Sequence, residues 1–542
     1  MSANAIPIID LFAGPGGLGE GFSSKLSNKR PFRIGVSIEM DNHAHRTLSL
    51  RAFFRYFKHE GRPVPNEYYQ YLAGQISRHN LEEAYPIEWK VAYAEALCAE
   101  LGRDEPEHQQ LIDKKIATAL KGKKNWVLIG GPPCQAYSQI GRSCKVGILN
   151  SKHGKGNEQA ARKQFEEDPK HVLYQQYLRI IARHAPAVFV MENVRGILSS
   201  KLHGKKIFPQ ILEDLKDPHK AADQYKWDKA KKNRYRVISF ITGKEPALGK
   251  EIDFLIKAKN YGVPQARERV ILLGIREDLY KKIKGSIRPL KESPLTTLKE
   301  AIGELPRLRS GFSNHEDTPE IWQKHLKSLR KSTWLKTTDP DVQKVLKESI
   351  KTISKETLDR RYTGTGNHAT DILGGWYTDK KLISLPNHGT RTHQDSDLDR
   401  YLFISAYGQA KKSSPHLLHF PNTLLPQHNN VDISNPKQKF KDRFTVHLWD
   451  EPSRTITCHI SSDGHYYIHP DPTQCRALTV REAARLQTFP DNYFFEGGPR
   501  RSHKLTGDTP RYTQVGNAVP PYLAKQLAEV VFDIFKQAEI WN

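Results

Sequence analysis

A doubly wound, mostly parallel α/β sheet joined to a second, loop-rich mixed domain is the fold the sequence predicts, and three observations carry it. Apolar runs of strand length recur through the first half of the chain, at Ile6–Phe12, Phe32–Ile38, Trp126–Ile129, Ala187–Met191 and Val270–Ile275. Runs buried on both faces are the mark of parallel strands. Helical patterns separate several of them, an alternation that belongs to sheets whose ligands sit at the C-terminal strand ends. The first run is delivered into a glycine cluster, Gly14 to Gly21, as a strand enters a tight turn before a helix.

A length of 542 residues exceeds the size at which one core stops growing, so two domains are expected. We place a catalytic, ligand-binding domain at 1–276, a second domain at 277–470, and a returning C-terminal segment at 471–542. With 37% hydrophobic and 27% charged residues and no apolar run near the roughly 18 residues of a spanning helix, the composition excludes a helical membrane protein and a disordered chain. Residues Met1–Asp10 lack the pattern of a secretory signal, so a cytoplasmic location is expected. Five scattered cysteines with no C-x-x-C pair imply free thiols and no metal site. The excess of 84 basic over 60 acidic residues, a net charge of +24, points to a polyanionic partner such as nucleic acid.

Between the strands, residues 42–93 read as a helical insertion. Its interleaved basic and aromatic residues, Arg51 to Lys58 and Tyr68 to Tyr71, favour core packing over nucleic-acid contact. Residues 136–170 have the Gly, Lys and Ser content of a mobile loop. In the second domain, Phe444–Trp449 alternates like a strand, and Asn387-His388-x-x-Arg391-x-His393 reads as a solvated loop rather than a base contact. Thr479-Val480-Arg481-Glu482 is a capping box opening a scaffold helix that ends before Pro490.

Four motifs carry chemistry. Gly14-x-Gly16-x-x-Gly19 after a strand, with Glu39 about twenty residues on to hold ribose hydroxyls, suits a dinucleotide or S-adenosylmethionine equally. Gly130-Gly131-Pro132-Pro133-Cys134-Gln135 sets a thiol at a strand end in a stiffened turn, where a nucleophile belongs. Glu192-Asn193-Val194 ends the neighbouring strand run and brings a carboxyl to the same crevice. Gln265-x-Arg267-x-Arg269, by its two-residue period, puts three polar side chains on one strand face, suited to the phosphates beside an extruded nucleotide.

Taken in order, Asp10-Leu11-Phe12-Ala13-Gly14-Pro15-Gly16-Gly17, Gly131-Pro132-Pro133-Cys134-Gln135, Glu192-Asn193-Val194, Gln265-Ala266-Arg267-Glu268-Arg269, Arg481 to Gln487 and Gln514-Val515-Gly516-Asn517-Ala518-Val519-Pro520 resemble the motif series of DNA (cytosine-5)-methyltransferases. The resemblance implies a class I, Rossmann-like fold dependent on S-adenosylmethionine, with a variable target recognition domain between Arg269 and Arg481. It implies that Phe12, Gly14, Gly16, Gly17, Glu39, Met40, Pro133, Asn517 and Ala518 line the cofactor site. The sequence departs from the family where an acidic residue after the third strand meets the adenine amino group, since the long insertion displaces it, and that contact stays open between Glu95 and Asp104. Cys134 is then the nucleophile at cytosine C6, Glu192 engages N3, and Arg267 and Arg269 hold the flipped nucleotide. Gln135, Ser138 and Gln265 join Arg267 as DNA contacts, and a nearby positive charge or helix N-terminus depresses the Cys134 pKa.

The resemblance further implies duplex DNA as substrate, S-adenosylhomocysteine as product, a monomer, and functional pairing with a restriction endonuclease without a stable complex. A transfer-RNA cytosine-5 methyltransferase shares these motifs. The long basic region between Arg269 and Arg481 favours duplex DNA, because reading a groove needs a dedicated module. An amino-group methyltransferase fits less well, since the turn offers a thiol, and a DNA-binding regulator without catalysis has no use for Cys134, Glu192 and Arg269 together.

Overall fold

The computed structural model describes residues 5–103, 105–133, 170–202, 205–222, 233–364, 372–426, 444–462, 464–497 and 509–541. The strands of the first half are β1 (Ile6–Leu11), β2 (Phe32–Glu39), β3 (Ala96–Cys98), β4 (Val127–Gly130), β5 (Val188–Val194), β6 (Lys201–Leu202), β7 (Lys205–Lys206), β8 (Tyr235–Ser239), β9 (Leu255–Lys257), β10 (Gln265–Ala266) and β11 (Glu268–Arg276). Eight of them form one sheet in the order β3-β2-β1-β4-β5-β11-β8, with β9 pairing to β11. The neighbours from β3 to β5 are parallel, and β11 runs antiparallel to β5, β8 and β9. Strand order reverses at β1, whose chain continues to β2 on one side while β4 flanks the other. This opens a crevice at the C-terminal ends of β1 and β4.

The apolar runs are continuous because both faces are covered. Ile6, Ile8, Val127, Ile129, Val188 and Val190 pack with α1 (Gly17–Phe22) and the C-terminal helix Pro521–Gln537, whose Leu523, Leu527 and Val531 share their core. The alternate residues Ile9, Leu11, Leu128, Phe189 and Met191 face the other way, onto α6 (Pro106–Leu120) and the helix Lys170–His184.

Between β2 and β3 lie α2 (Asn42–His59), α3 (Asn66–Leu72), α4 (Arg78–Ala84) and α5 (Pro86–Glu95), the expected helical insertion. Its aromatic residues form their own core, in which Phe53 stacks on Trp89 at 4.8 Å between centroids. Its central arginines are buried too. Arg51 is bidentate on Glu20 and donates to Asn492 Oδ1 at 2.9 Å, and Arg55 pairs with Glu95 at 2.5 Å.

The second half builds two cores, one drawn from Phe312 to Cys475 and one from Leu298 to Ala518. The Phe444–Trp449 stretch is not a strand. Only an isolated bridge, Val446 to Ile468, forms there, and Thr445 and His447 are buried along with Phe444 and Val446, so the alternation marks no solvent face. The expected solvated loop around His388 is likewise interior. His388 bonds Thr479 Oγ1 and the Pro306 carbonyl, and Arg391 stacks over Tyr512 at 3.8 Å. The helix Val480–Leu486 carries the Thr479 capping box and is wholly buried, with Arg481 donating to the carbonyls of Pro386, Pro490 and Tyr493. No helix among the described residues is long and apolar enough to cross a membrane.

Candidate active site

One wall of the crevice is the glycine turn. Phe12, Gly14 and Gly16 all have positive φ, 55°, 56° and 97°. A side-chain carbon built on Gly14 meets nothing within 4 Å, so the ledge above it is open. One built on Gly17 lies 2.3 Å from the Val519 carbonyl oxygen, so only glycine lets the 516–519 loop close against the turn. That contact brings Asn517, exposed at the end of the helix Thr509–Asn517, and Ala518 to the same ledge.

At the end of β2, the Glu39 carboxylate accepts from the backbone N–H of Gly14 and of Asp41, each at 2.8 Å. Burial raises its pKa above the ordinary carboxylate value even though these bonds favour the anion. Met40 beside it is 60% exposed, an apolar plate next to a fixed carboxylate. An open ledge, a carboxylate and an exposed thioether suit the adenosyl part of S-adenosylmethionine.

Glu95 does not reach this ledge, because it is buried on Arg55. Asp104 lies outside the described residues. The acidic residue that the topology brings to the edge is Glu100, exposed two positions past β3, whose Cys98 lies opposite Glu39 in register. Three residues, Ala96 to Cys98, are too short a run to stand out in the sequence, and without that strand Glu100 had no address.

The second wall is built by β4, β5 and β11. Gly130 pairs with Met191, so the Gly131–Pro133 turn leaves β4 beside Glu192. Glu192 Oε2 lies 2.7 Å from where a side-chain carbon on Gly131 would be, and its Oε1 is 2.8 Å from Arg269 Nε. Antiparallel register sets that ion pair, since Arg269 lies opposite Val194 and Ile271 opposite Glu192. Burial lowers the Arg269 pKa, an effect the Glu192 charge opposes. Pro133 is half-buried at the mouth of the turn. The next residue is Cys134, which, with Gln135, Ser138 and the loop expected up to Lys170, lies outside the described residues. Lys170 itself begins a helix.

Two expected nucleotide contacts are placed differently. Gln265 is fully buried, its amide donating to the Leu486 carbonyl and its Oε1 accepting from Ile456 N–H. Arg267 is 1% exposed and donates to the carbonyls of Ile456, Gly516 and Ala518. The Gln265-x-Arg267-x-Arg269 motif therefore does not present one polar face. It is split between β10, which pairs with Ser453–Arg454, and β11, and Arg267 falls at the break. Arg267 ties the 456 segment to the 516–518 loop, while Arg269 alone of the two meets Glu192. This segment, Thr455 to Cys458, is a part of the site that sequence reasoning did not single out. Thr455 Oγ1 donates to the Ala266 carbonyl, and Cys458 lies near both arginines.

The sheet order, the glycine turn and the carboxylate at the end of β5 define a class I methyltransferase. The chain belongs to the C-5 cytosine-specific DNA methylase family, whose model matches residues 76–219 and 253–533. It is a DNA (cytosine-5-)-methyltransferase. It is 31% identical over 547 residues, 97% of this chain and 98% of the relative, to the type II methyltransferase M.Bpa9945I of Bacillus paralicheniformis. It is 25% identical to the type II methyltransferase M.DdeI of Desulfomicrobium norvegicum, over 77% of this chain and 74% of that protein. It is also 25% identical to the DNA (cytosine-5-)-methyltransferase M.ApeKI of Aeropyrum pernix, over 78% of this chain and 84% of that protein.

Proposed function

We propose that the protein modifies cytosines in a defined duplex DNA sequence as the modification partner of a restriction endonuclease, acting on a base flipped out of the helix. The observation that carries this reading is the Glu192 carboxylate held between Arg269 and the Gly131–Pro133 turn that leads into Cys134. A stacked base hides its ring face from a nucleophile, so the nucleotide must leave the duplex, at a cost of a few kcal/mol offset by protein contacts.

Within that crevice the roles follow from chemistry. The Cys134 thiolate adds to C6 of the cytosine. Glu192, oriented by Arg269, shares a proton with ring N3, which draws electron density from the ring and makes C6 electrophilic. Arg269 also faces the cytosine O2, while Gln135 and Ser138 fill the space the base vacates. Bound S-adenosylmethionine supplies an electrophilic methyl group to C5. Phe12, Gly14, Gly16, Gly17, Glu39, Met40, Pro133, Asn517 and Ala518 hold it, with Glu100 at its adenine edge. Loss of the C5 proton to a base then expels the Cys134 thiolate and restores the aromatic ring. Arg267 contributes by position, holding the 516–518 loop to the strand that carries Arg269.

Offering the purified protein labelled cofactor with duplex DNA or transfer RNA tests the substrate, and Cys134→Ser tests the mechanism. Label should enter DNA as 5-methylcytosine and be lost in Cys134→Ser. Transfer to RNA alone overturns the substrate, and wild-type activity of Cys134→Ser overturns the mechanism.

A further inference from the structure

The chain that leaves Glu192 carries an unusual local charge. From Arg195 to Lys206 it holds Arg195, Lys201, His203, Lys205 and Lys206 and no acidic residue. The segment is anchored at both ends. A 3-10 turn, Arg195–Leu198, buries Ile197 with Phe208 and Leu215 in the core beneath the sheet. Ser200 closes on the Gly196 carbonyl through its hydroxyl at 2.7 Å and accepts from Ile207 N–H at its own carbonyl, 3.2 Å. Between these anchors β6 and β7 form a two-stranded ribbon in which Lys201 lies directly opposite Lys206, and Leu202 opposite Lys205.

Like charges directly opposite on a strand pair repel and destabilise the pairing. Lys201 and Lys206 are exposed, and neither has an ion-pair or hydrogen-bond partner among the described residues. The next helix, Phe208–Lys216, treats its cation differently, pairing Lys216 with Glu213 at 2.9 Å. An anchored ribbon with opposed, unpaired ammonium groups fits a surface that meets an anion.

Its place in the fold says which anion. Arg195 is the third residue after Glu192, and its guanidinium reaches Glu268 at 2.6 Å, next to Arg269 on β11. Lys201 follows nine residues after Glu192, four of the intervening ones coiled into the 3-10 turn. The ribbon thus springs from the C-terminal end of β5, the rim of the crevice that holds the catalytic carboxylate.

We propose that the β6–β7 ribbon is a backbone-contact arm, in which Lys201 and Lys206 bind phosphates of the DNA beside the target nucleotide. The proposal rests on the reading of duplex DNA as substrate. Such contacts position a duplex without reading its sequence, and each releases counterions, so they act through a salt-dependent term. The arm lies outside the six signature motifs and outside the 277–470 region expected to read the bases.

The test compares wild-type protein with Lys201→Ala/Lys206→Ala by titrating a short mixed-sequence DNA duplex at several salt concentrations. The double variant should bind more weakly, and its plot of log affinity against log salt should be shallower by about 2, near 0.9 for each phosphate that is no longer neutralised. Lys201→Arg/Lys206→Arg should restore the slope, and the alanine variant, freed of the repelling pair, should unfold at or slightly above the wild-type midpoint. Unchanged affinity and slope in the alanine variant, while wild type still methylates duplex DNA, overturns the arm and leaves the proposed function standing. A wild-type protein that methylates RNA alone overturns the substrate reading instead.

Discussion

Two stretches that border the crevice are both rich in cations, and the fold uses them in opposite ways. In α2, Arg51 and Arg55 are 3% exposed, each on a buried carboxylate, and the Arg51 guanidinium lies over Phe54 at 3.9 Å. In the β6–β7 ribbon, Lys201 and Lys206 are exposed and oppose one another. The first set ties the insertion to the glycine turn through Glu20 and to the C-terminal segment through Asn492. Among the described residues, the second set holds nothing together. A cation's role therefore depends on whether an acceptor meets it inside the fold, and residue type alone does not reveal that.

The comparison breaks most visibly at Arg51. Burial alone raises the Glu20 pKa, and the charge and hydrogen bonds of Arg51, with the charges of Arg55 and Arg30, together hold it below its ordinary value. Arg51→Met strips that carboxylate of its bidentate partner, leaving Arg55 at 3.9 Å and the charge of Arg30. A stability loss of about 3–5 kcal/mol is expected by denaturant titration, partly recovered in Arg51→Met/Glu20→Gln, which removes both charges. If Arg51→Met unfolds at the wild-type midpoint, the buried pair does not hold the insertion to the turn.

A proton tests the same interior on a smaller scale. His388 is neutral in the fold, its Nε2–H donating to the Pro306 carbonyl and its Nδ1 accepting from Thr479, and burial lowers its pKa from 6.5 to about 4. A folded pKa below the unfolded one means that the unfolded chain binds the extra proton first. The contribution is whole above the unfolded value and is lost as pH falls from about 6.5 toward 4. Between pH 7 and 5.5 that loss comes to about 1 kcal/mol, which His388→Gln should remove from the pH slope of unfolding. An unaltered slope in the variant shows that another group titrates there.

The smallest stability effect belongs to the ribbon. Lys201→Glu replaces a repelling cross-strand pair with an attracting one, so stability should rise by about 0.5 kcal/mol or less while DNA affinity falls. Calorimetry and a DNA titration on the same variant read the two effects. A fall in both leaves the ribbon as scaffold rather than arm.

Much of the site was legible along the chain. The glycine turn, Glu39 at the end of β2 and Glu192 in β5 stand where the strand runs placed them, because a strand and the turn that follows are local and their apolar runs need no distant partner to be recognised. Glu100 was not legible, since β3 is three residues long and is defined by pairing to β2 across the whole insertion. Gln265 and Arg267 were misplaced because a two-residue period assumes an unbroken strand. The chain changes partners between β10 and β11, and only the Ser453–Arg454 pairing reveals the break.

The sequence by itself determined the sheet, its crevice and the placing of the Gly131–Pro133 turn beside a carboxylate, because each is written within one strand and its turn. The tertiary structure decided which polar side chains face that crevice. Arg267 finds its carbonyl acceptors 189, 249 and 251 residues away, and Arg51 finds Asn492 at a separation of 441. Whether a charge is buried and satisfied or left to meet a ligand is a property of the segments that close around it, and those come together only when the chain folds.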